Sequence, residues 1–271
     1  MGGRAGARVN DAILIILAMK RPEYFRRCLE AWGNARGSQD LHGVTVRTGR
    51  TNPALEGELA AIAGHAAAKY GWPLTVVPDD PEDAGHAGPD RALGMQIQAS
   101  FADPGCGFVI ECDEDIVVSD DVLEYMAFAR SLGTDCACAH NDLGQGWSPR
   151  RDDSAADQRV VRIRGEFTSW CFGFTREAWE RTWLPEWDWD RTSGDHPMQH
   201  GWEWQMHRQA VRDNLRIAIP DASRCQDIGQ FAGTFSDPAG FWATQAASYR
   251  PHREPVAYVA TDETSAQHAV V

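Results

Sequence analysis

Residues 108–126 read FVIECDEDIVVSDDVLEYM, and this stretch decides the fold. The apolar run at 108–110 predicts a buried strand, and three adjacent acids, Asp-Glu-Asp, follow at 113–115. Adjacent carboxylates repel one another at the packed end of a strand, and a divalent cation removes that repulsion. Hard ions such as Mg²⁺ and Mn²⁺ prefer oxygen ligands and often keep open positions for phosphate oxygens. The stretch therefore predicts a metal site that carries a phosphorylated ligand.

Strands and helices alternate ahead of this stretch. Three apolar runs predict strands, at residues 12–19, 44–46 and 74–77, and apolar residues at helical spacing follow each of them. The first run is uninterrupted, which is typical of a strand inside a parallel sheet. The repeat indicates an α/β fold with a mainly parallel central sheet and helices on both faces. Ligands of such sheets bind at the carboxyl ends of the strands. Lys20 and Arg21 lie at one such end, and the acids at 113–115 lie at another.

Composition favours a single domain at residues 11–250, with a disordered N-terminus at 1–10 and a polar C-terminal tail at 251–271. The 271 residues are 43% hydrophobic, which is ample for one core. The longest apolar run is too short to span a bilayer, so no membrane association is expected. A net charge of −13 argues against a general polyanion binder. Seven cysteines without a CxxC spacing, and no secretory segment, predict reduced thiols and a cytoplasmic location.

The second half carries further predicted strands and helices. Residues 160–164 alternate, which places Arg162 and Arg164 together on one face of a strand. One face of a later helix is predicted to carry His200, Trp204, His207 and Val211. The whole is predicted to be one domain, because no repeat and no linker interrupts it.

Six segments, in this order along the chain, resemble the N-acetylglucosaminyltransferase I-like glycosyltransferases of family 13. They are AILIILAMKRPEYFRRCLEAW from residue 12, VIECDEDIVVSDDVLEYM from 109, AHNDLG from 139, WCFGFTREAWE from 170, GWEWQMHRQ from 201 and SRCQDIG from 223. The chain departs from the family pattern in its acidic triplet, which is DED rather than EDD, and in a Glu where the family's base is Asp. The resemblance implies a GT-A-like fold.

The resemblance also implies an activity, a metal-dependent and inverting glycosyltransferase that moves a hexosyl or N-acetylhexosaminyl group from a UDP-sugar to an acceptor hydroxyl. It implies that Asp115, together with Asp113, holds Mn²⁺ or Mg²⁺, and that Glu203 is the catalytic base. Asp195 and Asp190 are the alternatives for the base.

Other residues are candidates for substrate contacts. The donor-binding candidates are Lys20, Arg21, Asp113, Glu114, Asn141 and Asp142. The acceptor-binding candidates are Trp170, Trp202, Trp204, Arg162 and Arg164. An aromatic ring can stack on the C–H face of a sugar, although most of the tryptophans are expected in the core. The acceptor is left open between a small molecule, a glycan, a protein and a hydroxymethylated DNA base. An arginine cluster is the one place that could meet a polyanion, at Arg150, Arg151, Arg159, Arg162 and Arg164.

Two other function classes remain as alternatives. A sugar nucleotidyltransferase also uses an α/β sheet and acidic metal ligands, but its Gly-rich phosphate loop is missing after Met19. A non-catalytic carbohydrate-binding protein would explain the 11 tryptophans but not the acidic triplet.

Overall fold

The computed structural model describes residues 9–48, 53–78, 89–141, 156–187, 189, 202–229 and 248–264. Strands and helices alternate in the first half, as predicted. The elements are β1 (Ala12–Ala18), α1 (Pro22–Asn34), β2 (Gly43–Thr48), α2 (Pro53–Tyr70), β3 (Leu74–Pro78), α3 (Pro89–Ala102) and β4 (Phe108–Asp113), with a short 3-10 turn at Ser38–Asp40. All of β1 is buried, because strands and helices cover it on every side. Pro22 begins α1, where its missing amide hydrogen costs no intrahelical bond.

The second half adds shorter elements. They are β5 (Ile116–Val118), α4 (Val122–Ser131), β6 (Cys136–Cys138), β7 (Val160–Arg164), β8 (Cys171–Thr175), α5 (Arg176–Ala178), α6 (Trp202–Arg212), β9 (Ile217–Pro220), β10 (Cys225–Asp227) and β11 (Val259–Asp262). A π-helical turn at Trp179–Trp183 and a 3-10 turn at Leu184–Glu186 continue α5. Thr175 caps α5, as expected, by accepting the amide hydrogen of Ala178.

The described strands form one large sheet and one small one. The large sheet has nine strands in the order β11-β7-β9-β6-β8-β4-β1-β2-β3. The strands β1, β2, β3, β4, β6 and β9 share one direction, whereas β7, β8 and β11 run the opposite way. The small sheet pairs β5 with β10 in antiparallel fashion. The prediction of a mainly parallel α/β sheet is confirmed.

Helices pack on both faces of the large sheet. One core lies between the sheet and α1, α2 and α4, and it includes Phe25, Trp32 and Tyr125. The other lies under α3 and α6, and it includes Leu93 and Met206. Every cysteine is buried and free of disulfides. No helix in the described part of the chain is both long and apolar enough to cross a membrane.

The face of α6 that packs on the core is a different one from the face that the sequence analysis described. Its buried face carries Trp202, Met206 and Ala210, which lie four residues apart. Trp204 and Val211, placed together from the sequence, are both exposed. Buried glutamines between the apolar positions hide this face in the sequence, because a glutamine is usually a surface residue.

Residues 251–264 are built into the domain. β11 pairs in parallel with β7 at the edge of the large sheet. The Tyr258 hydroxyl donates to Oδ2 of Asp121 at 2.9 Å, which holds the approach to β11 against the start of α4. The segment that was predicted to be a polar tail therefore contains a strand, β11, and a side chain, Tyr258, that holds the segment to the domain.

Candidate functional site

The carboxyl ends of β1, β2 and β4 lie side by side and form a rim. Leu17 of β1 is in register with Arg47 of β2 and with Asp113 of β4. Register partners point to the same face of a sheet, so Arg47 and Asp113 flank Leu17 on the face covered by α3 and α6. Arg47 is buried. The sequence analysis missed it, because the predicted second strand stopped at residue 46.

The strand β4 is longer than predicted and continues through Glu111 to Asp113. The two acids are two positions apart on one strand, so their side chains share a face. Glu111 is 1% exposed, and neither of its carboxylate oxygens has a hydrogen-bond partner among the described residues. Burial raises the pKa of Glu111 well above its usual range, and Asp113, Cys112 and Glu203 add to that effect. Glu111 therefore lies beneath the rim in surroundings that favour the protonated form of its carboxyl group.

Glu114 is the anchor of the loop between β1 and α1. Its Oε2 accepts the amide hydrogen of Met19 at 2.7 Å and lies 3.3 to 3.4 Å from the amide nitrogens of Lys20 and Arg21. Its Oε1 accepts a hydrogen from Nε of Arg21 at 2.7 Å. Glu114 is 1% exposed. It faces the protein backbone rather than the open rim, so its carboxylate positions Arg21.

Asp115 lies at the mouth of the site. Its Oδ2 accepts a hydrogen from Nη1 of Arg21 at 2.5 Å, and both side chains are mostly buried. Its carbonyl oxygen accepts the amide hydrogen of Ile228, which joins the acidic triplet to the segment after β10. The Arg21 guanidinium thus bridges Glu114 and Asp115.

A further acid, Asp227, closes the site from β10. Its Oδ1 accepts the amide hydrogen of Gly229 at 2.6 Å. A Cβ on Gly229 would overlap Oδ2 of Asp115 and would lie 3.0 Å from Oδ1 of Asp227 and 3.2 Å from Nη1 of Arg21. Only glycine lets the backbone approach the Arg21–Asp115 pair this closely. The segment SRCQDIG contains both residues, but nothing local to it in the sequence marks Asp227 as part of the site.

The acids of the site raise one another's pKa values. Burial raises the pKa of Asp115 to about 6, Arg21 opposes the shift, and Asp227 and Glu114 add to it. Burial, followed by the charge of Asp115, raises the pKa of Asp113 well above its usual range. The pKa of Asp227 is also raised by burial, against the Gly229 amide and Arg21. Burial is therefore the first cause of all three shifts, and the charge of Arg21 opposes each of them.

Glu203, the predicted base, reaches the same rim. The Trp202 ring packs on Phe172 of β8 with 5.6 Å between centroids. Phe172 is the register partner of Glu111, so α6 begins over the face that carries Glu111 and Asp113. Glu203 is exposed, and its charge raises the pKa of both acids. The fold thus brings Glu203 into electrostatic range of Asp113.

The side chains at this rim include several carboxylates, which are the ligands that Mn²⁺ and Mg²⁺ prefer. Among the described residues, no group of three or more His, Cys, Asp or Glu side chains is arranged to hold an ion. The protein ligands that the rim could offer a cation are therefore few, namely the carboxylates of Asp115 and Asp113.

Trp170 and His140 form an aromatic pair at the rim. Their ring centroids are 4.1 Å apart. Trp170 lies directly before β8, whose first residue, Cys171, is the register partner of Cys112, and its side chain packs against the core that includes Trp32 and Tyr125. Trp170 has φ +47°, a left-handed conformation that costs a bulky residue about 1–3 kcal/mol. Such strain collects at functional sites, where the surrounding structure holds it in place.

Two other predicted donor contacts lie at strand ends. Lys20 is exposed directly after β1. Asn141 is buried after β6, where its Nδ2 donates to the carbonyl oxygen of Asp221 at 2.7 Å and its amide donates to Oγ of Ser223 at 3.0 Å. Asn141 therefore joins the ends of β6 and β9.

The predicted acceptor arginines lie on β7, away from the acidic end of β4. β7 is four strands from β4, roughly 19 Å away. Arg162 donates to Asp221 and Glu263, and Arg164 donates to the other oxygen of Glu263. Arg159 pairs with Asp157. These arginines are neutralised by neighbouring acids because β11, whose position the sequence did not reveal, brings Glu263 onto β7.

The predicted acceptor tryptophans separate into different environments. Trp202 is 8% exposed and belongs to the core, so it is not an open platform. Trp204 is 41% exposed and contacts the His207 ring edge-on at 6.0 Å. Trp170 is half-buried at the rim. Several predicted residues lie outside the described part of the chain, namely Asp142, Arg150, Arg151, Asp190, Asp195 and His200.

The fold resembles solved glycosyltransferases. The mannosyltransferase PcManGT from Pyrobaculum calidifontis, solved in complex with GDP-Man and Mn²⁺, aligns with a TM-score of 0.52 and 12% identity over 82% of this chain and 61% of that one. S. aureus TarS 1–349 aligns with a TM-score of 0.53 and 11% identity over 79% of this chain and 59% of that one. TarS 1–349 in complex with UDP-GlcNAc aligns with a TM-score of 0.52 and 12% identity over 85% and 63%.

These comparisons show a GT-A-like fold. The chain spans about 60% of the length of these structures. No family model and no curated sequence matches the chain, so the likeness is one of structure.

Proposed function

We propose that this chain is a metal-dependent glycosyltransferase that moves a sugar from a UDP-sugar to an acceptor hydroxyl, by a mechanism like that of the family 13 enzymes it resembles. The observation that carries the proposal is the cluster of Asp113, Asp115 and Arg21 at the carboxyl ends of β4 and β1, with Glu203 on the same side. The structural neighbours solved with nucleotide sugars and with Mn²⁺ support it.

Asp115, assisted by Asp113, holds the cation in this proposal. When bound, Mn²⁺ or Mg²⁺ offsets the charge that develops on the leaving diphosphate. Arg21 and the exposed Lys20 supply further positive charge at the end of β1. Glu114 orients Arg21 and fixes the loop that carries both, so it supports the donor site from behind.

Glu203 is the proposed general base. An exposed carboxylate across the rim from Asp113 can take the proton of an acceptor hydroxyl as that oxygen attacks the sugar. Attack from the face opposite the leaving diphosphate inverts the anomeric carbon. Glu203 is preferred to Asp195 and Asp190, because α6 begins over the sheet face that carries Asp113.

Trp170 is the proposed sugar-contacting aromatic residue. Its left-handed backbone and its contact with the His140 ring hold a half-buried indole directly before β8, next to the strand that carries Asp113. Aromatic rings contact sugars through their C–H faces. The acceptor in this proposal is a small molecule or a glycan, because the described arginines that could meet a polyanion are already paired with acids.

The donor screen is the decisive experiment. Thermal unfolding is measured with Mn²⁺ and with UDP-glucose, UDP-galactose, UDP-N-acetylglucosamine or GDP-mannose, for the natural chain and for Asp115→Asn. A metal-dependent stabilisation by one nucleotide sugar, lost in Asp115→Asn and kept in the remote Asp213→Asn, supports the proposal.

The other outcomes are equally informative. Stabilisation by UTP and a sugar phosphate, with release of pyrophosphate, would reveal a nucleotidyltransferase instead. Binding of free glycans without any nucleotide would reveal a carbohydrate-binding protein.

A further inference from the structure

Arg21 occupies the position that a cation needs. Its Nη1 is 2.5 Å from Oδ2 of Asp115, and its Nε is 2.7 Å from Oε1 of Glu114. Both contacts are shielded, since the side chains of Arg21 and Asp115 are 17% and 13% exposed. A guanidinium and a divalent cation repel each other, so they cannot share this oxygen at low cost.

Asp227 lies next to this ion pair. It follows Cys225 and Gln226 on β10 and is in register with Ile116, the residue after Asp115. The point where a Gly229 Cβ would lie is 3.0 Å from Oδ1 of Asp227 and 3.2 Å from Nη1 of Arg21. A swing of a few ångströms by the tip of Arg21 therefore brings it from Asp115 to Asp227, while Nε remains on Glu114.

Charge balance favours this exchange. Asp113, Glu114, Asp115 and Asp227 all lie within electrostatic range of the Arg21 guanidinium. With Arg21 on Asp115, Asp227 has no cation at hydrogen-bond distance among the described residues. With a divalent cation on Asp115, the displaced guanidinium needs a new carboxylate, and Asp227 is within its reach.

We infer that Arg21 competes with the divalent cation for Asp115, and that Asp227 is the positioning residue that receives Arg21 when Asp115 carries the cation. The inference rests on the proposed function, because it requires Asp115 to be a metal ligand. It assigns Arg21 two positions, on Asp115 without metal and on Asp227 with metal. By receiving Arg21, Asp227 lowers the free-energy cost of cation binding at Asp115 without itself binding the ion.

The test measures binding of Mn²⁺ alone, by calorimetry and by loss of the free-ion signal in electron paramagnetic resonance. Arg21→Met should tighten Mn²⁺ binding about tenfold, because the competitor is gone. Asp227→Asn should weaken it about tenfold, within the range seen for residues behind metal ligands. Asp227→Asn in the Arg21→Met background should have no effect, because no guanidinium remains to be received.

The controls separate folding from competition. Arg26→Met, on the exposed side of α1, and the remote Asp213→Asn should leave Mn²⁺ affinity unchanged. Arg21→Lys keeps the positive charge beside Glu114 but cannot span both acids, so it should tighten binding even if Arg21→Met unfolds. Circular dichroism confirms that each variant is folded.

Two results overturn the inference. If both Arg21 variants bind Mn²⁺ no more tightly than the natural chain, Arg21 does not compete with the ion. If Asp227→Asn still weakens Mn²⁺ binding about tenfold in the Arg21→Met background, Asp227 is a direct ligand. Either can occur while Asp115→Asn still abolishes binding, which leaves the proposed function intact. If Asp115→Asn binds Mn²⁺ like the natural chain, or if neither the natural chain nor Arg21→Met binds it, the metal assignment itself fails.

Discussion

Glu203, at the start of α6, lies over the sheet face that carries Asp113, at the end of β4, because Trp202 packs on Phe172, the register partner of Glu111. Burial is the first cause that raises the pKa of Asp113, and the charges of Asp115, Cys112 and Glu203 add to it. The proposed function gives Asp113 a part in metal binding and Glu203 the part of proton acceptor, and a direct displacement at a sugar carbon requires both on one side of the strand end.

Replacement of Glu203 by Gln should separate binding from chemistry. The amide keeps the size of the side chain but cannot take a proton, so transfer should fall by about 100-fold or more. Donor binding should be unchanged, because Glu203 is exposed and outside the Arg21 network. Initial rates and donor affinity are measured in parallel, with the exposed Glu177→Gln on α5 as the control. Full transfer activity in Glu203→Gln would move the base to another residue.

A methyl group at Gly229 should damage the site from the backbone side. The added Cβ overlaps Oδ2 of Asp115, so Gly229→Ala should lower the free energy of unfolding by about 1–3 kcal/mol and weaken metal-dependent donor binding. Gly57→Ala on α2 is the control, since its Cβ meets open space and alanine favours a helix. Urea unfolding and donor titration test both effects. If Gly229→Ala and Gly57→Ala have the same stability and the same donor affinity, the close approach of Gly229 to Asp115 affects neither property.

The strained backbone at Trp170 makes an unusual stability order. Ala and Gly both delete the indole, but only Gly adopts φ +47° without cost, so Trp170→Gly should be more stable than Trp170→Ala by about 1 kcal/mol. At the neighbouring Ser169, which lacks a positive φ, Ala should be the more stable. Both Trp170 variants should lose the same sugar affinity. If urea unfolding shows Trp170→Ala to be more stable than Trp170→Gly, the backbone at Trp170 is not strained.

The ion pairs of Glu263 should make the C-terminal strand sensitive to acid. Burial acts to raise the pKa of Glu263, but hydrogen bonds from Arg162 and Arg164 outweigh it and leave the pKa lowered. A lowered pKa supplies stability above the unfolded value of about 4.3, and that stability is lost as the pH falls through the folded value. Glu263→Gln should therefore cost about 1–2 kcal/mol at pH 7.

The difference between Glu263→Gln and the natural chain should shrink as the pH falls below about 4. Urea unfolding over a pH series measures it, and the exposed Glu254→Gln should follow the natural chain throughout. A constant difference at every pH would mean that Glu263 acts through packing rather than charge.

The sequence predicted the parts of the fold that are local. The uninterrupted apolar run of β1 and the acids at the end of β4 can be recognised from the local sequence alone. They correctly predicted that the carboxyl ends of these two strands lie at one edge of the sheet. Arg47 and Asp227 joined the rim through strand register and through the pairing of β10 with β5, which no local pattern reveals. The same limitation hid the ion pair of Arg162, because its partner Glu263 directly follows β11, whose pairing with β7 no local pattern reveals.

The position of Glu114 affects how any random-mutagenesis screen of this chain would be interpreted. Its carboxylate accepts the Met19 amide hydrogen and the Arg21 side chain, so its loss would loosen the turn after β1 rather than remove a ligand. Inactive clones at all three acids would suggest one shared chemical purpose. Clones with a substitution at Glu114 would instead be inactive because they accumulate little intact protein. An antibody blot would distinguish them from clones with a substitution at Asp115.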